Sequence, residues 1–218
     1  MMMMRSRTAL TTSSPFLRRE YSRLLSSSSS SSSSSRPVVL LGNTSLRQVC
    51  QEISPEEDAS LAADKTALVA TLQRFRDENG FGRGIAAPQI GVLKRFIVIN
   101  MGDGPRVLTN PVISWRSEET FTLFDDCMSL PWVLCKVRRN KSITVEFRNE
   151  QGEMEEWAEV AQPLSELLQH EMDHLDGVLI VDRAEGGGRG IVSREEFEKD
   201  DARFREEVDY FIEPTIAK

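Results

Sequence analysis

The chain contains two histidines, and both fall in His170-Glu171-Met172-Asp173-His174. Residues four apart share one face of a helix, so both imidazoles of this HExxH segment can reach one metal ion. Glu171, next to the first, can hold and deprotonate a water at that metal. Two solvated histidines on a surface helix would be the bland alternative. Leu167, Leu168, Met172 and Leu175 surround the pair on what reads as a core-facing helix, which favours the metal site.

A catalytic metal site needs a third protein ligand and one open position. The extended form HExxHxxGxxH is matched through Gly177 but has Ile180 where its third histidine belongs, so that protease class fails at its defining ligand. The third ligand must then be a cysteine or a carboxylate. Cys127 lies where an apolar run, Thr120 to Phe124, gives way to a loop, a place from which a thiolate can face a cleft. Cys135 and Cys50 are weaker candidates and read as small buried hydrophobes.

A second segment, Gly82-Arg83-Gly84-Ile85-Ala86-Ala87-Pro88-Gln89, has glycines and alanines that let backbone approach a ligand closely. The Gln89 amide can donate to a developing oxyanion. As a nucleotide-binding fingerprint the segment fails, because it lacks a third glycine and does not follow a strand.

These residues must be positioned by an α+β body. Asn43, Thr44 and Ser45 cap a short helix through Val49 and Ile53. Ser54 to Glu57 form a capping box with Pro55 at the first helical position, predicting a helix with Leu61, Leu68, Leu72 and Phe75 on one face, ended by Gly80. Strand-like runs follow at Phe96 to Ile99, Val107 to Ile113, Thr120 to Phe124 and Ile143 to Phe147. The HExxH helix starts after Pro163 and stops at Gly177. A glycine-rich flexible break, Glu185 to Gly190, precedes a last helix opened by Ser193 and bearing Phe197, Phe204, Val208 and Phe211, expected to dock on the body. The fold expected is mixed or antiparallel sheet around a central HExxH helix, with one helix before the sheet and one at the C-terminus.

The ends differ in kind from the middle. Residues 1–36 carry six arginines and one acid, so the rest of this chain of net charge −7 is strongly acidic. Nucleic acid is therefore excluded as the main partner. No apolar run is long enough to span a membrane, and three cysteines at irregular spacing argue against a disulfide framework. Arginine, serine and scattered apolar residues before the serine run Ser26 to Ser35 fit a transit peptide for the mitochondrial matrix, with the plastid as alternative, followed by a linker. The organisation expected is 1–36 address and linker, 37–184 catalytic domain, and 185–218 glycine-rich break and C-terminal helix.

Taken in order, GRGIAAPQ (Gly82 to Gln89), DDCMS (Asp125 to Ser129) and QHEMDH (Gln169 to His174) resemble the three motifs of the peptide deformylase family, GxGxAAxQ, EGCLS and QHExDH. The flanking LTNPVI (Leu108 to Ile113) and LDGVL (Leu175 to Leu179) agree, so the resemblance covers roughly residues 38–183. It implies removal of the N-formyl group from the initiator methionine of nascent chains, with release of formate. It implies Cys127, His170 and His174 as ligands of one divalent metal, usually Fe(II) in this family, with zinc, nickel or cobalt able to take its place. It further implies Glu171 as general base and then acid, and the Gln89 amide and Met128 backbone N–H as oxyanion donors. Gly82, Arg83, Gly84 and Leu167 would contact an N-formylmethionyl peptide, Leu167 and Leu168 having core packing as an equal alternative. The ribosome exit region is a further partner that it suggests.

The second motif departs from the family: Asp125 stands for glutamate, Asp126 for glycine and Met128 for leucine, while Arg83 replaces a small apolar residue between the first two glycines. Asp125 is expected to pair with an arginine such as Arg139. Asp126 is expected to add a negative charge near the substrate path. Two alternatives remain at this level: a metallohydrolase acting on other N-acyl peptides, and a non-catalytic homologue that binds ribosomes or nascent chains.

Overall fold

The computed structural model describes residues 34–212; residues 1–33 of the expected 1–36 address and linker, and the last six residues, lie outside them. Eight strands form two antiparallel sheets. The larger has the order β1-β2-β3-β6-β7 and the smaller β4-β5-β8, where β1 is Gly84–Ala86, β2 Phe96–Ile99, β3 Arg106–Arg116, β4 Thr120–Asp126, β5 Val133–Asn140, β6 Ile143–Arg148, β7 Met154–Trp157 and β8 Ile191–Ser193. Helix α1 is Ala62–Asn79 and helix α2 Gln162–Leu175. Among the described residues the only parallel pairing is one isolated bridge, Gln51 to Lys94.

The alternation of β2 explains how the larger sheet is covered. Ile97 and Ile99 join Leu108, Val145 and Phe147 in a core closed by Leu167, Leu168, Met172 and Leu175 of α2. Phe96 and Val98 face the other way, against Ala67, Leu68 and Leu72 of α1. The strand is thus buried on both faces, each such side chain contributing about 1.5–3 kcal/mol. Helix α2 takes Pro163 into its first turn, where a missing N–H costs nothing. The smaller sheet packs Phe121, Leu123 and Val137 against Leu46, Leu130, Leu179 and Ile180.

Several expectations change in detail. The capping box at Ser54 forms, but Pro55–Asp58 is a single turn, followed by a 3-10 turn Ala59–Leu61 before α1 begins. Ser60 Oγ–H donates to the Glu57 carbonyl, the local competition that weakens serine inside helices. Gly80 ends α1 in the left-handed region, its N–H bonded to the Arg76 carbonyl. The Glu185 to Gly190 stretch contains a 3-10 turn, Gly187–Gly190, and is tied by Glu185 N–H to the Lys136 carbonyl and by an Arg138–Glu185 ion pair. The expected last helix is two, α3 (Arg194–Lys199) and α4 (Asp201–Glu206), because Asp200 breaks the run and caps the second with its own side chain. It docks as expected: Phe197 and Phe204 stack 5.2 Å apart, and each meets Phe124 of β4 edge-on at 5.4 Å.

Candidate metal centre

Helix α2 carries His170, Glu171 and His174, all buried. Cys127 follows directly on β4. The ligand atoms of Cys127, His170 and His174 lie within 4.8 Å of one another, with Cys127 Sγ 3.3 Å from His174 Nε2. For metal–sulfur and metal–nitrogen bonds of about 2.3 and 2.1 Å, a tetrahedral angle separates S and N by roughly 3.6 Å, so this donor set fits one small divalent ion. Three donors leave a fourth position open. The thiolate and two imidazoles are chemically suited to iron, zinc, nickel or cobalt.

His170 is oriented from behind. Its Nδ1 bonds Asp125 Oδ2 at 2.9 Å, which leaves Nε2 for the metal. Asp125 in turn meets Arg139 Nη2 at 3.2 Å, and Arg139 Nη1 meets Asp173 at 2.5 Å. Arg183 closes the chain on Asp173 at 2.7 Å. Although burial opposes it, His170 and Arg139 hold the Asp125 carboxyl at about 2. The same negative field outweighs burial at His170 and raises its proton affinity well above the ordinary histidine range. A site that favours a proton there favours a cation there too. His174, by contrast, is kept neutral by burial and by its neighbour His170, the state a ligand imidazole requires.

Glu171 is pushed up to about 7, by burial above all, and its Oε2 is buried without a hydrogen-bond partner. A carboxylate poised near neutrality can take and return a proton. Gly84 makes room for it: a Cβ there would lie 2.5 Å from Glu171 Oε1. Gly82 is glycine for another reason, a φ of +124° with Phe75 2.9 Å from where a Cβ would stand.

Gln89 sits in the 3-10 turn Ala87–Ile90. Its Oε1 accepts the Ala86 N–H at 2.8 Å, which fixes the amide so that Nε2 points to Ser129 Oγ at 3.2 Å and towards Cys127 Sγ at 3.7 Å. A donor is thereby aimed at the metal centre. Met128, adjacent to Cys127, packs partly against the α1 core. The structure therefore brings together Cys127, His170, His174, Glu171, Gln89 and Gly84. It seals Cys50 and Cys135 in the core, where burial holds their thiols at about 11 and about 12.

Leu167 and Leu168 enter the core between α2 and the sheet. One turn before His170, the helix instead offers Glu166, which is 1% exposed and ion-paired with Arg83 at 2.6 Å. Burial pushes Glu166 up to about 7, with Arg83 pulling it back. Sequence reading missed Glu166; its signal was an acid four residues before a ligand histidine on an otherwise apolar stretch. The Asp126 expectation is corrected: its charge is not free beside the substrate path, because Arg194 Nη2 takes it at 2.8 Å. Asp125 pairs with Arg139 as expected. A cavity of about 190 Å³ lined by Ile99, Met101, Trp157 and Leu164 contains none of the ligands.

Comparison with known proteins agrees with this geometry. A family profile described as polypeptide deformylase matches residues 35–189. The chain is 40% identical over 157 residues to a peptide deformylase of Thermotoga neapolitana, covering 72% of this chain and 92% of that protein. It is 44% identical over 120 residues to one of Desulfitobacterium hafniense, covering 54% and 76%. Among solved structures, it is similar to the peptide deformylase of Thermotoga maritima, with TM-score 0.63 and 32% identity over 69% of this chain and 97% of that one. It is similar also to a class I type b peptide deformylase of Acinetobacter baumannii with Met-Ala-Ser bound, with TM-score 0.62 and 31% identity over 69% and 99%.

Proposed function

The chain belongs to the polypeptide deformylase family, and we propose that it removes the formyl group from the initiator methionine of polypeptides made in an organelle. The family is one of metal-dependent amide hydrolases, and this chain has the Cys/His/His site for it. The observation that carries the reading is that site with Glu171 beside it and the Gln89 amide fixed towards it.

Cys127, His170 and His174 would hold the divalent metal, which would supply Lewis acidity and lower the pKa of a nearby water. Strand β1 is an edge strand, so an extended formyl-peptide can add alongside it and place its formyl carbon between Glu171 and Gln89. Glu171 takes a proton as water attacks that carbon. Gln89 Nε2, with the Met128 N–H as second donor, stabilises the oxyanion. Glu171 then delivers its proton to the amide nitrogen as the C–N bond breaks, giving formate and a free amino terminus. The Acinetobacter relative with Met-Ala-Ser bound supports a peptide occupying this cleft. We take the Arg83–Glu166 pair, beside His170, to shape the preference for the first side chain, so Arg83→Ala changes the ranking of formyl-peptides.

Fe(II) is the resident metal on this reading, with zinc, nickel and cobalt as substitutes; metal analysis after anaerobic purification decides. The mitochondrial matrix is the location, the plastid being the alternative, on the composition of residues 1–36. A fluorescent protein fused to that segment and left in the cytosol would remove this part. Substrates emerging from translation place the enzyme near the ribosome exit, which co-sedimentation with organellar ribosomes tests. The activity itself is tested by formate release from formyl-Met-Ala-Ser set against acetyl-Met-Ala-Ser. Release from the acetyl peptide alone, as acetate, would replace deformylation by another deacylation.

A further inference from the structure

The loop that carries Cys127 runs from the end of β4 at Asp126 to the start of β5 at Val133. One residue of the C-terminal segment holds both of its ends. Arg194 Nη2 meets Asp126 Oδ2 at 2.8 Å, and Arg194 Nε donates to the Pro131 carbonyl at 2.8 Å. Its backbone N–H donates to the Trp132 carbonyl at 2.8 Å. The guanidinium therefore spans from the residue before the ligand to the fourth residue after it, and the main chain adds the fifth. Strand β8, immediately before Arg194, pairs with β5 from Val133 to Cys135, and Phe197 and Phe204 pack on Phe124 of β4. Both strands flanking the loop are thus held by the C-terminal segment.

Two further features mark the contact as built for the loop. Arg194 is the first residue of α3, whose first turn otherwise carries Glu195 and Glu196. A cation is disfavoured at a helix N-terminus by the helix dipole, so the side chain is there for what it reaches. Asp126 stands where the family motif has glycine, and it puts a carboxylate one residue from the Cys127 thiolate. Left alone, that charge would oppose the thiolate; paired with Arg194, it becomes an anchor.

We propose that Arg194 is a positioning residue for the thiolate arm of the metal centre, so that docking of the C-terminal segment governs how tightly Cys127 holds the metal. The inference rests on the metal-centre reading. The test uses the full chain loaded with Co(II), whose thiolate charge-transfer band reports the Cys127–metal bond, together with the rate of cobalt release to excess chelator. Arg194→Ala is expected to shift or weaken the band and to speed release roughly 10-fold or more, within the range by which residues supporting metal ligands act. Arg194→Lys keeps the charge without the fork and is expected to fall between. Should Arg194→Ala not fold, Asp126→Asn weakens one anchor by removing its charge while the backbone contacts stay, and faster release is expected there, by less than in Arg194→Ala. A folded Arg194→Ala, or in its place Asp126→Asn, with wild-type band and release rate would overturn the inference, even if its thermal stability fell, since that is all a purely structural contact would do. Absence of the band in the wild type would overturn the metal-centre reading, and this inference with it.

Discussion

Replacing Asp125 by asparagine keeps the volume and one acceptor oxygen but removes a buried negative charge that serves two partners. The first is His170, whose Nδ1 it holds at 2.9 Å. Loss of a carboxylate behind a ligand histidine costs about 10–100-fold in metal affinity, or about 1.4–2.7 kcal/mol. The second is Arg139, 4% exposed. Breaking a buried ion pair outright costs about 3–5 kcal/mol, but Arg139 keeps Asp173 at 2.5 Å. We therefore expect about 1–3 kcal/mol in the metal-free protein, a fall in Tm of roughly 3–10 °C for a domain of this size. The affinity change also depends on pH. His170 has a raised proton affinity because of Asp125, so in the wild type a proton competes with the metal as pH falls through that raised value. In Asp125→Asn the competition begins at lower pH. The assay is Zn(II) or Co(II) competition with a chelator of known affinity between pH 6 and 8, alongside thermal melts of the metal-free proteins. Asp125→Glu, which restores the charge one methylene longer, should lie nearer the wild type in affinity. Wild-type metal affinity and pH dependence in Asp125→Asn would refute the claim that this carboxylate prepares His170.

Other expectations follow from single contacts. Gly84→Ala puts a methyl 2.5 Å from Glu171 Oε1. It should lower kcat by roughly 100-fold or more, the scale of general acid–base catalysis, with metal content unchanged; steady-state kinetics on the metal-loaded variant decide. Iodoacetamide at pH 8 should label Cys127 only once the metal is stripped. Cys50 and Cys135, buried with thiols at about 11 and about 12, should stay unlabelled in the folded protein, and peptide mapping that finds either modified first would contradict this. Asp209 accepts the Thr122 N–H and Oγ–H at 2.9 and 2.8 Å, which lowers its carboxyl below the ordinary range. A depressed folded-state value stabilises above the unfolded pKa of about 3.9 and is lost as pH falls through the folded one. Denaturation of Asp209→Asn should show a deficit at pH 7 that closes below about pH 4; a deficit constant down to pH 2 would count against the linkage.

The metal-binding half of the site was the most legible, because ligand chemistry restricts residue type and spacing: helical spacing pointed to His170, Glu171 and His174, while Cys127 was one candidate after a strand until the family resemblance singled it out. Local signals also held at Ser54, Gly80 and Ser193, whose caps depend on near neighbours. What escaped depends on distant partners. Strand β5 was missed because Lys136, Arg138 and Arg139 break its apolar pattern, yet Arg139 points inward to Asp125 and Asp173. Glu166 reads as a solvated helix charge until Arg83 is brought beside it from 83 residues away in sequence. The break at Asp200 lets Phe197 and Phe204 stack on each other and on Phe124, contacts that only the assembled β4 supplies. Asp126 could not be seen as neutralised without knowing that β8 carries Arg194 back to β5.

On the function proposed, Glu171, beside a metal at Cys127, His170 and His174, moves the proton that hydrolysis of a formyl amide requires. The most direct test is formate release from formyl-Met-Ala-Ser by wild type and Glu171→Gln, each loaded anaerobically with Fe(II) and each assayed for bound metal. One metal per chain is expected in both, with turnover in the wild type and a rate at least about 100-fold lower in the variant. Equal rates at equal metal content would contradict it.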